Sequence, residues 1–155
     1  MSKVFSYEEF LKENGELTYT NVGRSMMPLL RQGKDLFTVR RKDPAERCRV
    51  GDVALYRNPA DQFVLHRVIQ VRPDDYVILG DHNIVKEYGI RDEDILGVMT
   101  GFVRDGRSHT VEERGYKLYS FVILHTIPLR TVQRKARRKV GRLVRAIQRR
   151  AGHRG

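Results

Sequence analysis

The hydrophobic period changes twice along the chain. Over residues 1–16, "MSKVFSYEEFLKENGE", polar and apolar positions follow a short amphipathic helix. Ser6 stands at an N-cap with Glu9 three positions later, Phe5 and Phe10 take the two places of a hydrophobic staple, and Gly15 is placed to end the helix. From 17 to 112 the pattern becomes short runs of β-branched and aromatic residues: "DLFTV", "DVALYR", "QFVLHRVIQV", "DYVILG" and "ILGVMTGFV". Gly33, Pro44, Gly51-Asp52, Asn58-Pro59, Pro73-Asp74-Asp75, Gly80-Asp81 and Asp105-Gly106 divide them. Such runs between turn formers read as strands, and their close spacing predicts a small meandering or barrel-like sheet. Farther on, the helical period returns, with Leu129, Val132, Ala136, Val140, Leu143 and Ile147 stepping by threes and fours. The expected fold is therefore mainly β, a small barrel-like body (17–112) between an N-terminal helix (1–16) and a C-terminal apolar segment with a basic amphipathic helix (113–155).

Composition sharpens this division. At 155 residues and 40% apolar, the chain can bury one respectable core. The formal net charge of +11 is not spread evenly: residues 1–129 carry 19 basic and 19 acidic side chains, while 130–155 carry 11 basic and none acidic. A basic amphipathic helix can lie on anionic lipid, grip the phosphates of nucleic acid, or pack its stripe on its own domain or on a second copy. Membrane surface is the first expectation and nucleic acid the weaker one. The run "LYSFVILHTIPL", 118–129, has about half the length of a spanning helix and would lie on a membrane or pack on the core. Cys48 is the sole cysteine, so no internal disulfide forms, and a reducing compartment fits. The acidic N-terminus lacks the apolar stretch of an export signal, which leads us to expect a cytoplasmic protein, peripheral on the inner membrane face.

The candidate chemistry begins with "GRSMMPLLRQGKD", 23–35, where Ser25 sits between a Gly-Arg pair and a Met pair closed by Pro28. A serine hydroxyl is a weak nucleophile until a base takes its proton and donors receive the oxyanion. His66, within a run that alternates like a strand, would be held rigidly with its ring on one sheet face. Asp81 follows the next strand in "LGDHN", where a carboxylate can reach back to its neighbour. Each residue taken singly is an ordinary turn or strand residue; triads occur in several chain orders, so their order alone proves little. His82, His109 and His125 are scattered without metal-ligand spacing, and no ligand set for a metal or organic cofactor is visible.

The joint pattern says more. "GRSMMPLLRQGKD", "RVGDVALYR", "LHRVI", "LGDHN" and "DILGVM" follow one another as do the sequence boxes of type I signal peptidases and the related self-cleaving repressors. Over residues 19–104 the chain resembles most the signal peptidase branch of the endoplasmic reticulum, archaea and some spore-forming bacteria, with His66 where the usual bacterial branch has a lysine. The resemblance implies Ser25 as nucleophile, His66 as general base and Asp81 as the acid that orients it. A histidine suits that task, since it accepts a proton at neutral pH without the deep desolvation a lysine needs. It further implies a substrate lying extended in a groove, bound by strand addition, with Met26 and Pro28 shaping the turn and lining the groove.

Three departures bear on this. Gly23 stands where family members often carry a serine that donates to the oxyanion. Glu87 occupies the place of a second functional aspartate six positions after the first, with Asp94 farther on, so Glu87 and Asp94 are alternative supporting acids. The membrane anchor usual in the branch gives way to the acidic helix. The activity expected is thus a serine endopeptidase that trims a leader or signal-like segment from a precursor peptide or protein. A self-cleaving protein, or a non-catalytic peptide- or nucleic-acid-binding module on the same fold, stands as the alternative. Neither the oligomeric state nor the substrate is legible.

Overall fold

The computed structural model describes residues 7–151, without the side chains of Arg134, Leu143 and residues 146–151. Ser6 and Phe5 of the expected cap and staple lie outside the described residues. The chain divides into two compact units, the first ending at Leu124 and the second beginning at His125.

Helix α1, Tyr7–Asn14, opens the first unit and buries Leu11 while Phe10 stays 38% exposed. Gly15, at φ +74°, returns its amide to the Leu11 carbonyl at 2.9 Å and ends the helix. An eight-stranded antiparallel sheet follows: β1 Glu16–Thr20, β2 Leu36–Arg41, β3 Val53–Arg57, β4 Phe63–Val71, β5 Tyr76–Leu79, β6 Glu87–Ile90, β7 Ile95–Arg104 and β8 Arg107–Thr110. The five runs with strand patterning became β2, β3, β4, β5 and β7. The strands without that patterning are β1 (ELTYT), β6 (EYGI) and β8 (RSHT), and their position explains why. β1 and β6 end the sheet and β8 pairs only with β7, and most of their side chains are not buried, so none needs an apolar run.

The sheet is open, which corrects the barrel-like expectation. Its path runs β1-β2-β7-β3-β4-β5-β6, and the two ends do not join. Closure would need a full ladder between β1 and β6, whereas β6 is four residues long and interrupted by Gly89 at φ +76°.

β3 lies at the centre and is buried on both faces. Val53 and Leu55 enter one cluster with Leu11, Met26 and Phe37, while Ala54 and Tyr56 enter the other with Val68, Tyr76 and Ile78. The alternation is the two-residue period of a strand, and the valine and leucine side chains each contribute about 1.5–3 kcal/mol by leaving water. Helix α2, Arg114–His125, packs Tyr116 and Tyr119 against the first cluster.

One register detail positions the site. β4 pairs with β3 from Phe63 to Arg67, but β5 joins its other edge only from Arg67 to Val71. Along Phe63–His66 that second edge has no ladder partner among the described residues.

The second unit contains helix α3, Ile127–Ala151, as the apolar period predicts. Leu129, Val132 and Val140 are exposed on it, whereas the side chains of Leu143 and Ile147 lie outside the described residues. No helix among the described residues is long and apolar enough to cross a membrane.

Candidate active site

The loop that presents Ser25 is held from below. Asn21 and Asp35 bind each other's ends of the loop, with the Asn21 amide donating to the Asp35 carbonyl at 2.9 Å and Asn21 Nδ2 donating to the Leu30 carbonyl at 3.2 Å and the Gly23 carbonyl at 2.8 Å. Fully buried Asp35 accepts from the Arg31 amide at 2.8 Å and from the Arg31 guanidinium at 2.7 Å. Burial alone would raise its pKa; the Arg31 bonds and the Arg104 charge overcome this and hold it down to about 2. Met26, Leu29 and Leu30 plug the loop into the core.

Met26, 1% exposed, is therefore an anchor and not part of the groove lining expected for it. Pro28 is exposed at the turn, its carbonyl accepting from Arg104 Nη2 at 2.6 Å, and it is not among the residues lining the groove beside Ser25 described next. Ser25 is half-buried and opens on a groove of about 270 Å³ that also touches Gly23. An ideal Cβ on Gly23 would stand 3.8 Å from Ser25 Oγ, so this position faces the hydroxyl directly and offers it no side-chain donor.

His66 comes from β4, opposite Ala54 of β3, and is 5% exposed. Its Nδ1 lies 2.7 Å from Glu87 Oε1 and 3.1 Å from the Tyr56 hydroxyl. With its proton on Nδ1 the imidazole donates to that carboxylate, which leaves Nε2 with a free lone pair. Burial lowers the His66 pKa below its ordinary value, and the Glu87 charge and hydrogen bond oppose this, with a smaller opposing pull from Asp81. The result is a neutral imidazole at neutral pH. Burial, with the Glu87 carboxylate nearby, pushes the Tyr56 phenol well above its usual range, so it keeps its proton.

Asp81 does not make the hydrogen bond to His66 that its expected role requires. Its two oxygens receive Arg67 Nε and Nη2 at 2.8 Å each, and Oδ2 also accepts from the Tyr119 hydroxyl at 2.8 Å. A guanidinium offers a planar fork that suits a carboxylate better than an imidazole edge does, and Arg67 is next to His66 in the chain. Asp94 is also engaged elsewhere, accepting the Arg91 amide at 2.8 Å in a 3₁₀ turn, Asp92–Asp94. Of the three candidate acids, Glu87 is the one in contact with the imidazole.

Gly80 brings Ser25 and His66 to one place. It follows the last ladder pair of β4 and β5, Arg67 with Leu79, and so comes opposite His66. A Cβ there would lie 2.7 Å from the Ser25 carbonyl oxygen and 3.0 Å from His66 Cδ2. The Ser25 backbone, the Cδ2 edge of the imidazole and the Gly80 turn thus meet within the space of one methyl group. The His82 amide fixes the approach by donating to the Ser25 carbonyl at 2.7 Å.

Sequence reasoning missed Tyr56, Arg67 and the steric role of Gly80. Tyr56 was legible only through register: it lies two residues after Ala54, on the same sheet face, and Ala54 pairs with His66. Comparison of the chain with protein-family models, with curated proteins and with solved structures found no match.

Proposed function

We propose that the protein is a serine endopeptidase of the signal-peptidase type, which removes a leader or signal-like segment from a precursor bound as an extended strand. The observation that carries this reading is the meeting of the Ser25 backbone and the His66 ring at Gly80, with Glu87 Oε1 2.7 Å from Nδ1 of the same ring. The unpaired edge of β4 at Phe63–Leu65, just before Gly80 comes opposite His66, supports strand addition beside them.

In this mechanism Ser25 Oγ attacks the scissile carbonyl carbon as His66 Nε2 takes the hydroxyl proton. The tetrahedral intermediate collapses, the peptide bond breaks, and His66 returns the proton to the leaving amine. Water then repeats the sequence on the acyl-serine ester, freeing a new carboxyl terminus and restoring Ser25. Glu87 remains ionised throughout and holds Nδ1–H in place.

The test is digestion of a proteome-derived peptide library by the protein and by its Ser25→Ala variant across pH 5–9, with new termini read by mass spectrometry. New termini are expected from the unmutated protein alone. Because the base works as neutral imidazole and its pKa is lowered by burial, kcat/KM is expected to fall on the acid side with a midpoint below about 6.5 and to be level at neutral pH. Equal termini from both proteins, or none from either combined with an unreactive Ser25, would overturn the reading.

A second reading concerns place. α3 exposes Leu129, Val132 and Val140 on a helix whose charges, from Arg130 to Arg150, are all basic. We propose that it lies on anionic lipid, its apolar residues in the interface and its arginines on headgroups. The full chain is expected to float with vesicles containing about 30% phosphatidylglycerol and to detach as salt rises, because exposed charges are screened beyond about 10 Å at 0.1 M salt. Equal flotation with neutral vesicles, or none with anionic ones, would count against it.

A further inference from the structure

The groove beside Ser25 has a definite chemistry. Tyr7, Tyr19, Phe37, Leu55, Phe63 and Leu65 supply its walls, and no charged side chain lines it among the described residues. Three of the aromatic rings are locked together: Tyr7 meets Tyr19 and Phe63 edge to face, each at 5.1 Å between ring centres. Tyr7 comes from α1, outside the β body, so the N-terminal helix builds part of the wall. Burial, with Tyr19 beside it, pushes the Tyr7 phenol up to about 12.

Size and direction then limit what enters. The groove measures about 270 Å³. A closed cavity of about 150 Å³ lined by Leu, Ile and Phe is large enough for a benzene ring. Phe63 and Leu65 alternate onto the sheet face that carries Leu55, directly opposite Leu65. A strand added to the open β4 edge places its side chains beside its cross-strand neighbours, with every second one on the same face. A substrate residue next to Phe63 or Leu65 therefore drops into the aromatic groove, while the chain continues past His66 to Ser25.

We infer that this groove is a specificity subsite for a large apolar side chain, Phe, Tyr, Leu or Met, within three residues of the scissile bond. The inference rests on the peptidase reading above and names the substrate class of that site. A subsite built for alanine-sized residues would leave most of this volume empty or wet, and its apolar walls would gain nothing from the occupant. Filling it with an aromatic ring removes apolar area from water on both partners. Discrimination between a ring and a methyl at such a site is expected to reach at least about tenfold in kcat/KM.

Two measurements on the full chain test this together. A fluorophosphonate probe reports whether Ser25 is a competent nucleophile without reference to peptide sequence, with Ser25→Ala as control. A randomised peptide library then reports residue frequencies around each cut. Ser25-dependent cuts enriched at least about fivefold in Phe, Tyr, Leu or Met at one position within three residues of the bond support the inference. Val22→Trp, a change at an exposed rim residue of the groove, is expected to move that preference toward smaller residues by about tenfold in the ratio of matched Phe and Ala peptides. Labelling of Ser25 without such enrichment, or a preference that Val22→Trp leaves in place, overturns the inference and leaves the peptidase reading standing. Absence of both labelling and cuts overturns the two together.

Discussion

Glu87→Gln is expected to slow peptide hydrolysis by about 10²- to 10⁴-fold while moving the melting temperature by only a few degrees. The carboxylate now accepts from His66 Nδ1 at 2.7 Å. The amide keeps the shape but can turn its NH₂ toward Nδ1, which drives the proton to Nε2, the atom that must be free to accept from Ser25. A wrong tautomer of this kind is costly in Ser-His-Asp peptidases, where the corresponding change lowers kcat by about 10⁴. The side chain of Glu87 is 31% exposed, so its removal strands no deeply buried charge and the fold should tolerate it. The pH profile separates this role from a merely structural one. Glu87 raises the His66 pKa against the lowering effect of burial, so without it the acid limb of kcat/KM should move further down in pH. At pH 7 the imidazole is neutral in both proteins, so the rate loss there is not a titration effect. A variant that keeps its rate within about threefold, or whose acid limb moves upward, would remove Glu87 from the mechanism.

What was legible in the sequence, and what was not, follows from the range over which each residue acts. The five strands with clear patterning sit inside the sheet, where two-sided or one-sided burial forces β-branched residues into sequence. β1, β6 and β8 lie at margins and carry Glu, Thr, Gly, Ser or His instead, because one edge or one face remains in solvent. The closure of the sheet was not legible at all, since it depends on whether two distant edges meet. Ser25 and His66 were found because their neighbours form recognisable boxes. The acid was harder. Asp81 and Glu87 are six residues apart, both follow β5, and the β4–β5 and β5–β6 registers together decide that Arg67, adjacent to His66, takes the first while His66 takes the second. Gly80 read as a turn former, and its φ is not unusual; what requires glycine is the approach of the Ser25 carbonyl and the His66 ring, which no local pattern encodes.

Asp81→Leu is expected to damage the fold more than any other single change discussed. It leaves the Arg67 guanidinium, 0% exposed, without its two-pronged partner. The Gly51 carbonyl and the Ser120 hydroxyl still accept from Nη1 at 2.8 and 2.7 Å, but neither carries charge. Breaking a buried pair by removing one partner costs about 3–5 kcal/mol, because the remaining ion stays desolvated and uncompensated. For a body of this size that corresponds to a fall in melting temperature on the order of 10 °C or more, read by calorimetry. Replacing both members, Arg67→Met with Asp81→Leu, should recover most of the loss, since no charge is then buried and well-packed apolar pairs often match or exceed an ion pair in stability. The double variant also decides what Asp81 does. Arg67 joins it to Tyr116 and Ser120 of α2, and Asp81 itself accepts from Tyr119, so the pair holds the Gly80–His82 turn that donates to the Ser25 carbonyl. If that positioning is its whole contribution, cleavage recovers as the melting temperature does. If the melting temperature recovers while cleavage stays down by about 10² or more, the Asp81 charge acts on His66 in the reaction itself, and the acid function is shared with Glu87.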